Sequence, residues 1–340
     1  MARARLELPG ADAARGHGAR SRLRKVVEEK AVRELRRKVT VEVAKVVVGQ
    51  TEGIDLALTA LATGGHLLLE GVPGVAKTLL ASAVARCLGL AFRRLQFTPD
   101  MLPSDITGTM TLRGNEFVFR PGPVFTNLLL ADEINRTPPK TQAALLEAMQ
   151  EGQVSVEGRP HPLPDPFLVM ATQNPIEYEG TYPLPEAQLD RFIAKVDVTY
   201  PSPEEERQLL QLAHRGVVPA TLDDVESVVD TQDLSELRRA VDATTVAPEV
   251  TNYIVGIIRK TRELPSIALG ASPRAGVHLL AAAKVAARFS DRDFVTPDDV
   301  AAMAPAVLRH RLLLRPEAEL ENYRPDDAIR AALSAVEVPR

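Results

Sequence analysis

Short apolar segments alternate with longer helical ones over residues 39 to 200, and this pattern predicts an α/β domain built on a parallel sheet. The strand candidates are residues 66–70, 128–132, 167–172 and 192–198. The middle two are almost continuously apolar, as expected for strands that helices cover on both faces.

The pattern changes at residue 201, after which we detect no convincing strand. Ser202 and Thr296 are each followed by a proline, which is a typical helix start, and Glu205 could complete a capping box with Ser202. Residues 201–340 are therefore predicted to form a linker and a small helical domain, with helices near 203–214, 233–241, 248–263, 273–288 and 297–309.

Residues 1–38 differ from the rest because Arg and Lys outnumber acids there and Gly and Ala are frequent near the start. We expect a basic, partly disordered segment with a helix from about Leu23. A solvated tail and a basic arm that contacts a partner both fit this composition. The predicted layout is thus a segment 1–38, an α/β core 39–200 and a linker with a helical domain 201–340.

The bulk composition is that of a soluble globular protein, with 45% apolar residues among 340 and a formal net charge of −4. Nucleic acid is not an expected partner at this charge. The lone Cys87 excludes an intramolecular disulfide and fits a reducing compartment. The chain has neither an apolar run of membrane-spanning length nor a secretory signal pattern, so we expect a cytoplasmic protein without a membrane span.

A glycine-rich segment follows the first predicted strand and precedes an apolar helix, which is the context of a phosphate-binding P-loop. In such a loop the backbone N–H groups and the helix N-terminus bind phosphates. Lys77 would contact the β- and γ-phosphates, and the Thr78 hydroxyl would bind Mg²⁺. The segment reads Gly71, Val72, Pro73, Gly74, Val75, Ala76, Lys77, Thr78.

Ala76 departs from the general P-loop pattern, which has glycine before the lysine. Alanine resists positive φ angles, so we expect position 76 to be right-handed or Gly74 to take up the sharp turn.

Acids and amides end the two buried strands. Asp132 and Glu133 follow one strand, and Asn174 comes shortly after the next. Ligands of open parallel sheets bind at the carboxyl ends of the strands, so these side chains should converge with the phosphate loop. Asp132 suits Mg²⁺ coordination, Glu133 suits a general base that activates water, and Asn174 could hydrogen-bond the γ-phosphate and that water.

Two arginines occupy positions that would be favourable if an anion, such as a phosphate group, were bound beside them. Arg191 precedes the last predicted strand, so a parallel sheet puts it at the edge away from its own phosphates, where it could serve a neighbouring molecule. A surface pair with Asp190 is the alternative. Arg274 lies in the first turn of a helix, where a cation opposes the helix dipole, and we interpret it as a lid residue that senses nucleotide.

Taken together, these residues resemble an AAA+ ATPase, and five stretches resemble the MoxR family in particular. The resemblance covers residues 40 to 315, and Ala76 matches the MoxR form of the loop. This family resemblance implies an αβα core with a helical lid. The stretches are residues 71–78, 131–136, 142–151, 171–175 and 184–192.

By this resemblance Glu133, Asn174, Arg191 and Arg274 act in catalysis, as Walker B base, sensor 1, arginine finger and sensor 2. Thr78 and Asp132 hold magnesium. The nucleotide contacts are residues 71–79, which end at Leu79, together with Gly49 and Gln50 next to the adenine.

The resemblance also implies ATP and Mg²⁺ as cofactors and a homo-oligomer in the form of a hexameric ring. It further implies a chaperone-like remodelling or metal-insertion role on an unknown protein client, with a von Willebrand factor A domain protein as partner. Residues 99–125 and 152–164 resemble two insertions of that family, which could face a pore or a substrate.

Other readings of the motifs stay open. A magnesium-chelatase-like subunit has overlapping motifs, and a small-molecule kinase could use the same P-loop without a ring. A transcription regulator is disfavoured because the sequence has no recognisable helix-turn-helix, and a GTPase because it has no Asn-Lys-x-Asp segment.

Overall fold

The computed structural model describes residues 32–72, 76–174, 181–214 and 222–339. The helices are α1 (32–43), α2 (Thr51–Thr63), α3 (Lys77–Cys87), α4 (Pro103–Thr107), α5 (Pro139–Glu151), α6 (Glu186–Leu189), α7 (Pro203–His214), α8 (Thr231–Asp242), α9 (Pro248–Thr261), α10 (Pro273–Phe289), α11 (Pro297–Leu308), α12 (Pro316–Leu320) and α13 (Pro325–Ser334). The strands are β1 (Leu67–Gly71), β2 (Phe92–Gln96), β3 (Gly108–Arg113), β4 (Glu116–Pro121), β5 (Leu128–Asp132), β6 (Gln153–Val156), β7 (Arg159–Pro162), β8 (Leu168–Gln173), β9 (Ala194–Val198), β10 (Ile267–Leu269) and β11 (Leu313–Leu314). Within this part of the chain, no helix combines the length and apolarity that crossing a bilayer requires.

A five-stranded parallel sheet in the order β2-β5-β8-β1-β9 forms the centre of the first domain. The predicted parallel sheet is confirmed, and the four predicted strands correspond to β1, β5, β8 and β9 with shifts only at their ends. The chain leaves β1 for the far edge strand β2 and returns through β5 and β8, while β9 pairs with the other side of β1. This reversal of strand order beside β1 is a topological switch point, where such sheets bind ligands.

The edge strand β2 was missed by the sequence pattern. Its residues are Phe-Arg-Arg-Leu-Gln, and none of them is fully buried. An edge strand pairs on one side only and tolerates charged residues, so β2 lacks the apolar run by which the central strands were recognised.

Alternating residues of the central strands face two separate helical layers. Leu67 and Leu69 of β1 pack into the core that α1, α2 and α3 share. Leu68 points to the opposite face and packs with Leu145 and Leu146 of α5. Because side chains alternate across a strand, strands that are apolar at every position can bury both faces of the sheet. The result is the αβα core that the sequence implied.

His66 is a structural residue at the start of β1. Its Nδ1 accepts a hydrogen bond from the Val169 amide at 3.1 Å, and its Nε2 donates to the Met149 carbonyl at 3.0 Å. Burial lowers the pKa of His66 to about 4, so the ring is neutral at pH 7. The ring thereby ties β1 to β8 and to the end of α5.

Two hairpins interrupt the core at the segments that resemble family insertions. β3 pairs with β4 after the short helix α4, and β6 pairs with β7 before β8. The hairpins touch where the rings of Phe119 and His161 stack with centroids 4.0 Å apart. In the β3–β4 hairpin, the side chains of Leu112 and Phe117 are 62% and 71% exposed.

The second domain is helical, with a separate apolar core formed mainly by α9, α10 and α11. All five helices predicted after residue 201 are present. The prediction that this region has no strand was wrong, because β10 and β11 form an antiparallel pair there. Strands of two and three residues are too short to show an alternating pattern.

Helix α1 passes through residue 38 without a break, and its Val32, Leu35 and Val39 are buried in the core. The predictions for residues 1–31 lie outside the described residues. Cys87 is buried, and burial raises the pKa of its thiol to about 12.

Candidate functional site

The functional side chains predicted from sequence gather at the carboxyl edge of the sheet. Leu69 of β1 lies opposite Thr172 of β8, and Ala131 of β5 lies opposite Ala171. The residues that follow these strands therefore share one edge. This edge carries the turn after β1 and the polar residues after β5 and β8.

The turn after β1 begins at a position that only glycine fits. A Cβ atom on Gly71 would lie 2.2 Å from the backbone oxygen of Val198. Pro73, Gly74 and Val75 lie outside the described residues. Val72 and Leu79 are partly buried against the core beneath the turn, which anchors both of its ends.

Ala76 is left-handed, with φ 60° and ψ 22°, and it precedes the first residue of α3. Of the two expectations for this turn, a right-handed residue at position 76 was wrong, and a sharp turn at Gly74 lies outside the described residues. A left-handed conformation costs an alanine about 1–2 kcal/mol, and such strain persists only where the surroundings impose it. Position 76 therefore has a left-handed backbone of the kind that glycine adopts without strain, although the residue here is alanine.

Replacing Ala76 with glycine should stabilise the nucleotide-free protein. The relief of left-handed strain exceeds the added entropy of the unfolded chain, so we expect a gain of about 0.5–1 kcal/mol. Ala143→Gly is the matched control, since Ala143 is exposed in α5 and should lose about 1 kcal/mol. Urea unfolding measures both changes, and equal losses in the two variants would contradict the strain at Ala76.

Lys77 opens α3 with its ammonium group directed back to the turn, where Nζ donates to the Gly71 carbonyl at 2.6 Å. Burial lowers the pKa of Lys77, while the nearby carboxylates of Asp132, Glu133 and Glu70 oppose that shift. Thr78 is the next residue of the helix and is partly buried. A half-buried cation at a helix N-terminus is unfavourable unless an anion lies beside it.

Asp132 ends β5, and both of its oxygens are hydrogen-bonded. Thr172 of β8 donates to Oδ1 at 2.6 Å, and Arg94 of β2 donates to Oδ2 through Nε at 3.0 Å and Nη2 at 2.7 Å. The same Thr172 oxygen accepts the Glu133 amide at 2.8 Å. Three neighbouring strands thus fix the carboxylate at this edge.

Glu133 has a left-handed backbone with φ 58°, which directs its side chain away from the line of β5. Its Oε2 accepts from Gln96 Nε2 at 2.8 Å and pairs with Arg136 Nε at 2.9 Å. Left-handed non-glycine residues cluster at functional sites, where neighbouring contacts hold them.

Sequence reasoning missed the residues that hold the two acids, namely Arg94, Gln96, Arg136 and Thr172. The first two lie on β2, whose strand character was not recognised. Thr172 was assigned only to a strand, although its place before Gln173 and Asn174 at a polar strand end was a usable signal.

Asn174 follows β8 at the same edge and is only 6% exposed. The structure therefore places Asp132, Glu133 and Asn174 at the carboxyl edge of the sheet, to which the start of α3 with Lys77 and Thr78 also belongs.

The segment at Gly49 and Gln50 precedes α2 and contacts the beginning of α7. A Cβ atom on Gly49, which has φ 76°, would lie 2.4 Å from Glu205 Oε1. Glu205 also closes the predicted capping box, accepting the Ser202 amide at 2.7 Å. The linker to the helical domain thus packs on this segment.

Arg191 lies before β9, at the amino end of the sheet. Because β9 is parallel to β1, the strand places Arg191 on the order of 15 Å from Gly71. The predicted alternative of an Arg191–Asp190 pair was wrong. The Asp190 carboxylate instead accepts from Ser272 Oγ at 2.9 Å and from Arg311 Nε at 2.8 Å.

Arg274 is exposed in the first turn of α10, which Ser272 caps through the Ala275 amide at 3.2 Å. Its charge lowers the pKa of both His278 and Arg311, although burial is the larger cause for each. Since Ser272 is bonded to Asp190, the structure brings the start of the Arg274 helix together with the Arg191 turn.

Comparisons with known proteins agree with this architecture. Residues 66–194 match the ATPase family associated with various cellular activities (AAA), and residues 259–332 match the AAA lid domain. A crystal structure from Cytophaga hutchinsonii, provisionally described as an ATPase, superposes with a TM-score of 0.86 at 41% identity, covering 95% of this chain and 99% of that one.

Curated relatives match over most of their length. The chain is 50% identical to the uncharacterized protein YeaC of Bacillus subtilis, over 87% of this chain and 92% of that protein. It is 46% identical to the chaperone MoxR1 of Mycobacterium tuberculosis, over 88% and 81%. It is 35% identical to the protein MoxR of Methylorubrum extorquens, over 88% and 93%. With a parallel αβα core, a helical lid and these relatives, the chain belongs to the MoxR family of AAA+ ATPases.

Proposed function

We propose that this protein hydrolyses ATP with Mg²⁺ and uses the energy in a chaperone-like remodelling machine. The observation that carries the proposal is the convergence of a half-buried lysine, a paired acid motif and a buried asparagine at one sheet edge. Membership of an ATPase family supports the same activity. The domain layout that we propose is a basic segment to residue 38, whose last residues already belong to the core helix α1, then a nucleotide-binding core to 200 and a linker with the lid from 201.

The residues present fit a magnesium–triphosphate complex. Lys77 lacks a carboxylate bonded to its ammonium group among the described residues, and burial lowers its pKa although the nearby acids after β5 oppose that shift. The left-handed Ala76 orients the start of α3, whose free N–H groups suit phosphate oxygens. Residues 71–79 would hold the phosphates, and Gly49 and Gln50 would contact the base.

Magnesium would be held by Thr78 and Asp132, both of which offer the oxygen ligands that this ion prefers. These two residues would hold the ion where it would supply positive charge to the transferred phosphoryl group. Thr172 and Arg94 restrict Asp132 to one orientation. Occupation by the ion would compete with the Arg94 contact.

Glu133 is proposed to take a proton from the attacking water, with Asn174 orienting that water. A carboxylate general base contributes about 10²–10⁴ in rate when it is within hydrogen-bond reach of its water. The donors Gln96 and Arg136 hold the Glu133 carboxylate in the nucleotide-free protein. Glu133 would have to release its contact with Gln96 or Arg136 and bind the attacking water before it could accept a proton.

Arg191 is proposed to complete the site of a neighbouring subunit in a hexameric ring. Its position at the opposite end of β9 supports action on a second molecule, because its own phosphate turn lies beyond its reach. Arg274 is proposed as the lid residue that responds to nucleotide.

The cellular role that we propose rests on the names of the relatives. One relative is named as a chaperone, which supports a remodelling role for an unidentified protein client in the cytoplasm. A metal-insertion role and a partner with a von Willebrand factor A domain are proposed on family resemblance alone.

Phosphate release from ATP by purified protein, with electron microscopy of the same sample, tests this proposal. We expect turnover by ring-shaped particles, loss of turnover on chelation of magnesium, and no turnover by the Lys77→Ala variant. A monomer that transfers phosphate to a small molecule would favour a kinase, and equal turnover by wild type and Lys77→Ala would reject the site.

A further inference from the structure

Arg311 is a fully buried arginine that the site at the strand ends does not use. Its side chain is only 1% exposed, and it ion-pairs with Asp190 through Nε and Oδ1 at 2.8 Å. Nη2 donates to the Asp190 carbonyl at 3.1 Å and Nη1 to the Ile193 carbonyl at 3.2 Å, with a further bond from Nη2 to the Phe192 carbonyl. One guanidinium therefore binds most of the turn in which Arg191 lies.

The same guanidinium also reaches the lid helices. Nη1 bonds the Val307 carbonyl near the end of α11, and Nη2 donates to His278 Nδ1 of α10 at 2.6 Å. His278 can accept this bond because burial lowers its pKa to about 4 and keeps the ring neutral. The lid and the Arg191 turn thus share one buried cation.

Ser272 provides a second link between the same elements. Its hydroxyl donates to the Asp190 carboxylate at 2.9 Å, while its oxygen caps α10 two residues before Arg274. Asp190 is therefore bonded to the residue that starts the Arg274 helix and is adjacent in sequence to Arg191. The partly buried Arg191 and the exposed Arg274 thus flank one ion pair, whose arginine is buried.

We propose that Asp190, Arg311 and Ser272 form a clamp that fixes Arg191 and Arg274 as one rigid unit, making all three clamp members positioning residues for ATP hydrolysis. This inference rests on the proposed function, because its consequence is catalytic. A shift of about 1 Å in a positioning group can cost about 10²-fold in rate. The two arginines must therefore be held in fixed positions. The clamp couples any lid movement to the Arg191 turn.

Two variants break the clamp in different ways. Asp190→Asn removes the charge but leaves a buried cation unpaired, which could unfold the protein. Ser272→Gly keeps the ion pair and removes the hydroxyl link, and glycine at a helix N-cap costs only a few tenths of a kcal/mol. Thr296→Gly is the matched control, since Thr296 caps α11 and bonds Asp299 within the lid.

The first measurement is hydrogen exchange of residues 186–194 in nucleotide-free protein. The Asp190 and Arg191 amides bond the carbonyls of Glu186 and Gln188, so exchange reports on this turn. We expect Ser272→Gly to speed exchange about fivefold, as loss of one hydrogen bond allows, and Thr296→Gly to leave it unchanged. Unchanged exchange in both variants would overturn the clamp.

The second measurement separates kcat from nucleotide affinity. Ser272→Gly and folded Asp190→Asn should lower kcat at least about tenfold while the ATP dissociation constant changes less than about threefold. A proportional loss of both, or an unchanged kcat, would overturn the positioning role. Absence of turnover in wild type would instead remove the proposed function, and the exchange experiment would still decide whether the clamp exists.

Discussion

Mixing inactive Arg191→Ala subunits with inactive Lys77→Ala subunits is expected to restore part of the ATP turnover. An Arg191→Ala subunit keeps its own phosphate site, and a Lys77→Ala neighbour can supply the missing arginine to it. An arginine provided by a second molecule contributes about 10³–10⁵ in rate, or about 4–7 kcal/mol of barrier. Each variant alone should therefore fall by at least about a thousandfold.

The structural basis is the parallel pairing of β9 with β1. This pairing puts Gly71 level with Val198 at one end, while Arg191 precedes the other end of the strand. The measurement is phosphate release at varied mixing ratios, with each pure variant as control. A failure of every mixture to exceed the pure variants would contradict an arginine supplied by a neighbour.

The Glu133→Gln variant should bind ATP with nearly normal affinity yet hydrolyse it about 10²–10⁴-fold more slowly. Glutamine keeps the shape of the side chain and the contact with Arg136 or Gln96 in part, but it cannot accept a proton from water. The matched control is Glu70→Gln, which changes a carboxylate at the same sheet edge that is paired with Lys195 at 2.8 Å.

Single-turnover hydrolysis and equilibrium ATP binding together measure this effect. We expect a change within about threefold for Glu70→Gln, because its carboxylate is paired with Lys195. Normal turnover by Glu133→Gln would remove Glu133 as the base. Equal losses of turnover in the two variants would show that hydrolysis depends on the total negative charge at this sheet edge and not on the Glu133 carboxylate in particular.

The strand ends were predictable from sequence because they follow the most regular part of the pattern. β5 and β8 begin with apolar runs, so the first polar residues after those runs, Asp132 in β5 and Thr172 in β8, mark where the strands end, and Asn174 follows directly after β8. Parallel pairing then requires those residues to meet. Convergence at one edge follows from strand direction and needs no knowledge of side-chain contacts.

Contacts between distant segments could not be predicted in the same way. Arg311 pairs with Asp190 across 121 residues of sequence, and nothing local indicates that this arginine is buried. Arg94 and Gln96 were missed because β2 is a charged edge strand. The left-handed Ala76 was missed because its conformation is imposed by the turn and runs against the preference of alanine.

The central claim is that the Lys77 turn binds a magnesium-coordinated triphosphate, and calorimetric titration tests it most directly. ATP added with magnesium to wild-type protein should give saturable heat, and Lys77→Ala should bind about 10- to 150-fold more weakly because a charge-assisted hydrogen bond is lost. Folded wild-type protein that gives no binding heat with magnesium and ATP would contradict the account.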